Sequence, residues 1–107
     1  MKRGEVWTLS GSGYAGKLRP AVIFQDDRFD ATASVTACAF ATDATEAPLF
    51  RLAIELDGQN GLRLTSRLMV DKITTVPKSR LGECIGRLPA AELVRLNRAI
   101  AVFLELA

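Results

Sequence analysis

Arg19-Pro20-Ala21-Val22-Ile23-Phe24-Gln25-Asp26-Asp27 is the stretch from which the architecture can be read. Ala21 to Phe24 is a nearly continuous apolar run of strand length. Pro20 fixes its entry, since proline is tolerated at the first position of a strand, and the polar cluster Gln25-Asp26-Asp27-Arg28 ends it. Arg19 stands at the mouth of this strand. Upstream, Ser10-Gly11-Ser12-Gly13-Tyr14-Ala15-Gly16 can hold no regular element, and Glu5-Val6-Trp7-Thr8-Leu9 alternates loosely in strand-forming residues. The first quarter therefore reads as strand, flexible loop, strand.

The same alternation continues downstream. Ser34 to Phe40 is a third strand, followed by the polar stretch Thr42 to Glu46; Leu49 to Leu56 alternates apolar and polar residues; and Asp57-Gly58-Gln59-Asn60-Gly61 is a turn. Arg67 to Val76 reads as one strand stopped by Pro77, and a short strand covers Cys84 to Arg87, about six strands in all. Pro89 to Ala107 is the long helix, with Pro89 near its first position, where a missing N–H does no harm. Leu93, Leu96, Ile100, Phe103, Leu104 and Ala107 fall on one side of it, and Glu92, Arg95, Arg98 and Glu105 on the other, with Val102 among the charges. Several strands followed by one packed helix predict an α+β fold with a mainly antiparallel, curled sheet, one domain over residues 1–107.

Composition narrows the function classes. With 49% hydrophobic and 24% charged residues the chain is in the globular range. The charged start Met1-Lys2-Arg3-Gly4-Glu5 lacks the apolar stretch of a secretory signal, and no apolar run approaches the ~18 to 20 residues needed to cross a bilayer. A cytoplasmic location is expected. Cys38 and Cys84 read as buried thiols, and a zinc site is not credible without histidine or a cysteine pair at ligand spacing. The net charge of +2 is small, but Lys2, Arg3, Lys17 and Arg19 in one segment and Arg63, Arg67, Lys72, Lys78 and Arg80 in another would form a phosphate-attracting patch if the two meet. The alternative is a solvated surface of mixed charge.

The absence of histidine removes two-histidine ribonuclease chemistry, Ser-His-Asp triads and Cys-His pairs, and the glycines fit neither a P-loop nor a dinucleotide fingerprint. RNA cleavage needs none of these, because the 2'-hydroxyl is a built-in nucleophile. The protein must orient it and stabilise charge at phosphorus. An arginine fork, always charged and planar, suits the second task, and Arg19 beside a loop is a plausible phosphate clamp, although a surface arginine is the commoner outcome.

Taken together, the opening Lys2-Arg3-Gly4-Glu5-Val6-Trp7, the Arg19 to Asp27 segment, Val70-Asp71-Lys72-Ile73-Thr74-Thr75-Val76-Pro77-Lys78-Ser79-Arg80-Leu81, Ile85-Gly86-Arg87-Leu88 and the final helix resemble the MazF/PemK family of toxin endoribonucleases in order and spacing. The resemblance implies an SH3-like barrel with a C-terminal helix, usually a homodimer. It also implies metal-independent cutting of single-stranded RNA, no cofactor, and neutralisation by a MazE-like antitoxin. By similarity Arg19 is the catalytic arginine, Asp71 and Thr65 match positions used for proton transfer and for phosphate or base contacts, and Lys17 and Arg80 are RNA-binding candidates. Asp71 could instead pair with a nearby lysine, and Thr65 could only shape a turn. Phe40-Ala41-Thr42-Asp43 departs from the family's usual pair of hydroxyl residues: Ala41 occupies the first position and Thr42 the second, so activity rests on Arg19 and Thr42 or the site is weakened. Met69 stands where some members place a second arginine. The competing class is a non-catalytic toxin on the same fold, similar to CcdB, that binds DNA gyrase or another protein; its tryptophan near the chain end is missing here, where the single tryptophan is Trp7.

Overall fold

The computed structural model describes residues 1–10, 18–41, 51–55, 57–62 and 65–106. Its strands are β1 (Glu5–Leu9), β2 (Arg19–Ile23), β3 (Ser34–Ala41), β4 (Arg51–Ile54), β5 (Ser66–Met69), β6 (Thr74–Pro77) and β7 (Leu81–Arg87), followed by helix α1 (Ala90–Phe103). They form one antiparallel sheet in the order β4-β5-β3-β2-β1-β7, with β6 also paired to β3. This is the expected α+β arrangement.

β3 organises the molecule because both of its faces are buried. Successive side chains in a strand point to opposite faces. Cys38 and Phe40 enter a cluster with Val6, Val22, Leu52, Ile54, Leu68 and Val70, which α1 closes with Leu96, Ala99 and Ile100. Val35, Ala37, Ala39 and Ala41 enter a second cluster on the opposite face with Leu9, Ala21, Ile23, Met69 and Val76. Small side chains on that second face let the curled strands approach each other closely. Burial in the first cluster pushes the Cys38 thiol up to about 12.

The stretch expected as one strand from Arg67 to Val76 is two strands. A 3-10 turn at Val70–Lys72 separates β5 from β6. Both pair with β3: Phe40 opposes Leu68 and Ala41 opposes Arg67, whereas Ala37 opposes Thr74 and Val35 opposes Val76. The pairing offset differs by three residues, the length of the turn, so the parity of the buried positions reverses. Met69 in β5 and Val76 in β6 share the second cluster although their numbers are odd and even.

The turn at 57–61 docks against β7. Arg87 N donates to Gln59 O (2.8 Å), and a Cβ at Gly86 would collide with that same carbonyl. Gly61 has φ +72, and a side chain there would strike the Ile85 carbonyl. Asn60, fully buried, donates to Glu55 O (2.8 Å) and accepts from Leu62 N (3.0 Å), so its amide is satisfied.

Pro89 is the N-cap of α1 and not its first helical residue, and the helix ends at Phe103 instead of reaching Ala107. Leu96 and Ile100 are buried as expected, whereas Phe103 and Leu104 are exposed, as Val102 is. Cys84, expected to be buried, is exposed.

Candidate active site

Strand register builds a row across the sheet. Leu9 opposes Arg19 between β1 and β2, and Ala21, two residues on along the same face of β2, opposes Ala39 of β3. Ala41 in turn opposes Arg67, and Arg67 opposes Ala53. Residues directly opposite one another project from the same face of an antiparallel sheet. Ala41, Arg67 and Ala53 therefore form one row on the face away from α1, and Leu9 and Arg19 lie on that same face with the second cluster. Both arginines are half-buried.

The residues singled out from the sequence distribute around this row. Arg19 is the first residue of β2, and Ala41, 4% exposed, is the last of β3. The methyl of Ala41 thus belongs to the apolar cluster, and a larger side chain there would meet Ala39 and Met69 as neighbours. Thr65 is exposed immediately before β5, and its hydroxyl donates to Glu55 Oε2 (3.4 Å). Arg80 is exposed; its carbonyl accepts from Ser10 N (3.0 Å), which sets its backbone beside the end of β1, one strand from Arg19. Lys17 and Thr42 lie outside the described residues.

Asp71 sits in the 3-10 turn and pairs with Arg51, not with a lysine. Arg51 Nε donates to Asp71 Oδ1 (2.9 Å) and Arg51 Nη2 to Asp71 Oδ2 (3.2 Å). Each carboxylate oxygen is engaged in this bidentate pair, whose side chains are 10% and 22% exposed.

The two basic segments meet only in part. Arg19 and Arg67 share a face and the Arg80 backbone lies one strand from Arg19, but Arg3 is at the other end of β1 and β2. Its guanidinium lies 4.4 Å from the Phe24 ring centroid, donates to Phe24 O (2.9 Å) and bonds Asn97 on α1. Lys78 bonds Asp30 and holds that carboxyl below the usual range. These two cations are used for architecture. Arg67 was counted in the basic patch and passed over as a site residue. The signal was available: it lies two residues before Met69, and two residues along a strand is one face. Among the described residues no three acidic or cysteine side chains converge as a metal site would require.

Residues 2–104 match the family described as PemK-like, MazF-like toxin of type II toxin-antitoxin system. The chain belongs to this family. The MazF-like toxin is 52% identical over 108 residues to a probable endoribonuclease MazF of Mycolicibacterium smegmatis, covering 100% of this chain and 99% of the relative. It is 28% identical over 116 residues to endoribonuclease MazF9 of Mycobacterium tuberculosis, covering 99% and 98%. Its backbone matches an endoribonuclease in complex with its cognate antitoxin from a mycobacterial species with a TM-score of 0.82 at 28% identity, over 100% of this chain and 97% of that one. The helix-capped sheet described above is thus the family's architecture.

Proposed function

We propose that this MazF-like toxin is a metal-independent endoribonuclease that cuts single-stranded RNA. The 2'-hydroxyl attacks the adjacent phosphorus to form a 2',3'-cyclic phosphate, the bond to the 5'-oxygen breaks, water carries the hydroxyl proton away and protonates the leaving 5'-oxygen, and Arg19 neutralises the charge that builds on the non-bridging oxygens. The observation that carries the reading is Arg19 itself, set by Pro20 at the mouth of a buried strand on the rim of a packed face. A guanidinium on such a frame is held in place before substrate arrives, which is what electrostatic stabilisation of a transition state requires. The endoribonucleases among its relatives support the assignment.

Lys17, Thr65 and Arg80 contact the RNA around the scissile phosphate, and Thr42 supplies the hydroxyl that Ala41 lacks. Asp71 acts by fixing Arg51 and the 3-10 turn, because both its oxygens are committed to that guanidinium. The protein works in the cytoplasm as a homodimer and is silenced by a co-expressed antitoxin. A disordered acidic and apolar segment would suit a basic groove, folding as it binds.

The test is incubation of the purified protein with a long unstructured RNA in EDTA, beside Arg19→Ala and Ala41→Thr, with ends mapped by primer extension. Recurrent cuts should persist in EDTA and fall on the order of 10²- to 10³-fold in Arg19→Ala. Cutting by Ala41→Thr alone would mean a site disabled at position 41. Silence from both would sink the nuclease reading in favour of a toxin that acts by binding a protein.

A further inference from the structure

We propose that Trp7 is a base-stacking residue of the RNA site, a half-buried indole that Glu5 holds ready for a base next to the phosphate at Arg19. This rests on the ribonuclease reading above and extends it to a residue with no assigned role.

The register puts Trp7 and Arg19 on one face. Trp7 opposes Ala21 and Leu9 opposes Arg19, so Trp7 and Arg19 are diagonal neighbours across β1 and β2. Such positions lie about 7–8 Å apart, within reach of long and aromatic side chains. That is also the scale on which a nucleotide separates its phosphate from its base. Trp7 is the chain's single tryptophan and, among the described residues, the aromatic side chain of this face. Phe24 and Phe40 belong to the cluster beneath α1, and Phe29 and Phe103 lie outside the strands. The indole packs against the second cluster, as Leu81 does, and stays partly open to solvent.

Its orientation is fixed by the residue two places earlier on the same face. Trp7 Nε1 donates to Glu5 Oε1 (3.1 Å), and the Lys2 amide donates to the same oxygen (2.8 Å). Burial would raise the Glu5 carboxyl, but the Lys2 amide and the indole N–H outweigh it and hold the group below its ordinary value, so it is charged at neutral pH. A phosphate is repelled by that carboxylate and drawn to a guanidinium. The RNA backbone therefore passes on the Arg19 side, and the base turns toward Trp7. A ring already immobilised loses little freedom when a base settles on it. Every base has a face to stack, so Trp7 adds affinity and position and leaves the choice of sequence to other contacts.

The experiment uses the tryptophan as its own reporter. The probe is a short RNA carrying the mapped cut sequence with one 2'-deoxy nucleotide at the cut, so that it binds and is not cleaved. Intrinsic fluorescence of the wild type should be quenched as this RNA saturates the protein, and making one nucleotide beside the cut abasic should abolish the quench. Affinities of variants are read from the anisotropy of a labelled copy of the probe. Trp7→Leu, which keeps an apolar side chain against the second cluster, should bind at least about fivefold more weakly. Its slope of log affinity against log salt should be unchanged, because no phosphate contact is removed. Trp7→Phe should recover most of the affinity, which a role in packing alone would not require. Saturating binding without a quench, or a quench that no abasic replacement removes, overturns the stack and leaves the ribonuclease reading standing. So does wild-type affinity in a folded Trp7→Leu. The quench is read on the unaltered chain, so it decides the matter even if the leucine variant fails to fold. A wild type that cuts no RNA overturns the ribonuclease reading and the stack together.

Discussion

Cys38 and Cys84 show how one residue type takes opposite character from its surroundings. Cys38 is fully buried beside Val22 and Phe40, and burial pushes its thiol up to about 12, with the Asp71 carboxylate adding to the rise. Cys84 is exposed on β7. In native protein at pH 8, a thiol-titrating reagent should consume one equivalent rapidly and the second only after denaturant is added. Consumption of two at once would show that the first cluster opens readily. The same shift has a sign in stability. Below the ordinary value of 9.0 the thiol is neutral folded or unfolded, and nothing is lost. Between about 9 and 12 the unfolded chain releases a proton that the folded chain keeps, so this contribution falls as pH rises, and urea midpoints should drop across that window. Sequence alone did not distinguish the two cysteines, because isolated thiols carry no periodicity. Arg19 was legible for the contrary reason: Pro20 and the apolar run behind it announce where the strand begins. The partner of Asp71 was not, since Arg51 lies 20 positions away and only the β4–β5 pairing brings the two together.

Among the elements, the clearest lesson is the division of Arg67 to Val76. The two halves pair with β3 in registers three residues apart, and a strand with a phase slip looks from sequence like a strand with imperfect alternation. The helix was legible in its buried stripe and overextended at its end, because apolar spacing persists through Phe103 and Leu104, which the fold leaves exposed. That difference is measurable. Leu96→Ala, at a position with no exposure, should cost about 2–5 kcal/mol. Leu104→Ala, 52% exposed, should stay within about 0.5 kcal/mol. Paired denaturation curves decide it, and a large loss at Leu104 would mean that the overhang is covered in solution.

At the scale of the whole molecule, β3 is bonded to segments drawn from Ala21 to Pro77, so the sheet cannot form by local closure alone. Topologies dominated by distant pairings fold slowly, and refolding in stopped flow should take milliseconds to seconds, not microseconds. A submillisecond single phase would contradict it. The alternating strands and the final helix made this architecture readable in advance; the pairing of Ala41 with Arg67 became visible only once the registers were known. The three-residue turn between β5 and β6 has a consequence for heredity. Loss of a single codon there would carry Val76 to the outside and Thr75 inward, replacing an apolar side chain of the second cluster by a hydroxyl without altering either residue, whereas loss of two would preserve the faces. In this gene, the spacing between two strands is inherited information as much as any side chain is.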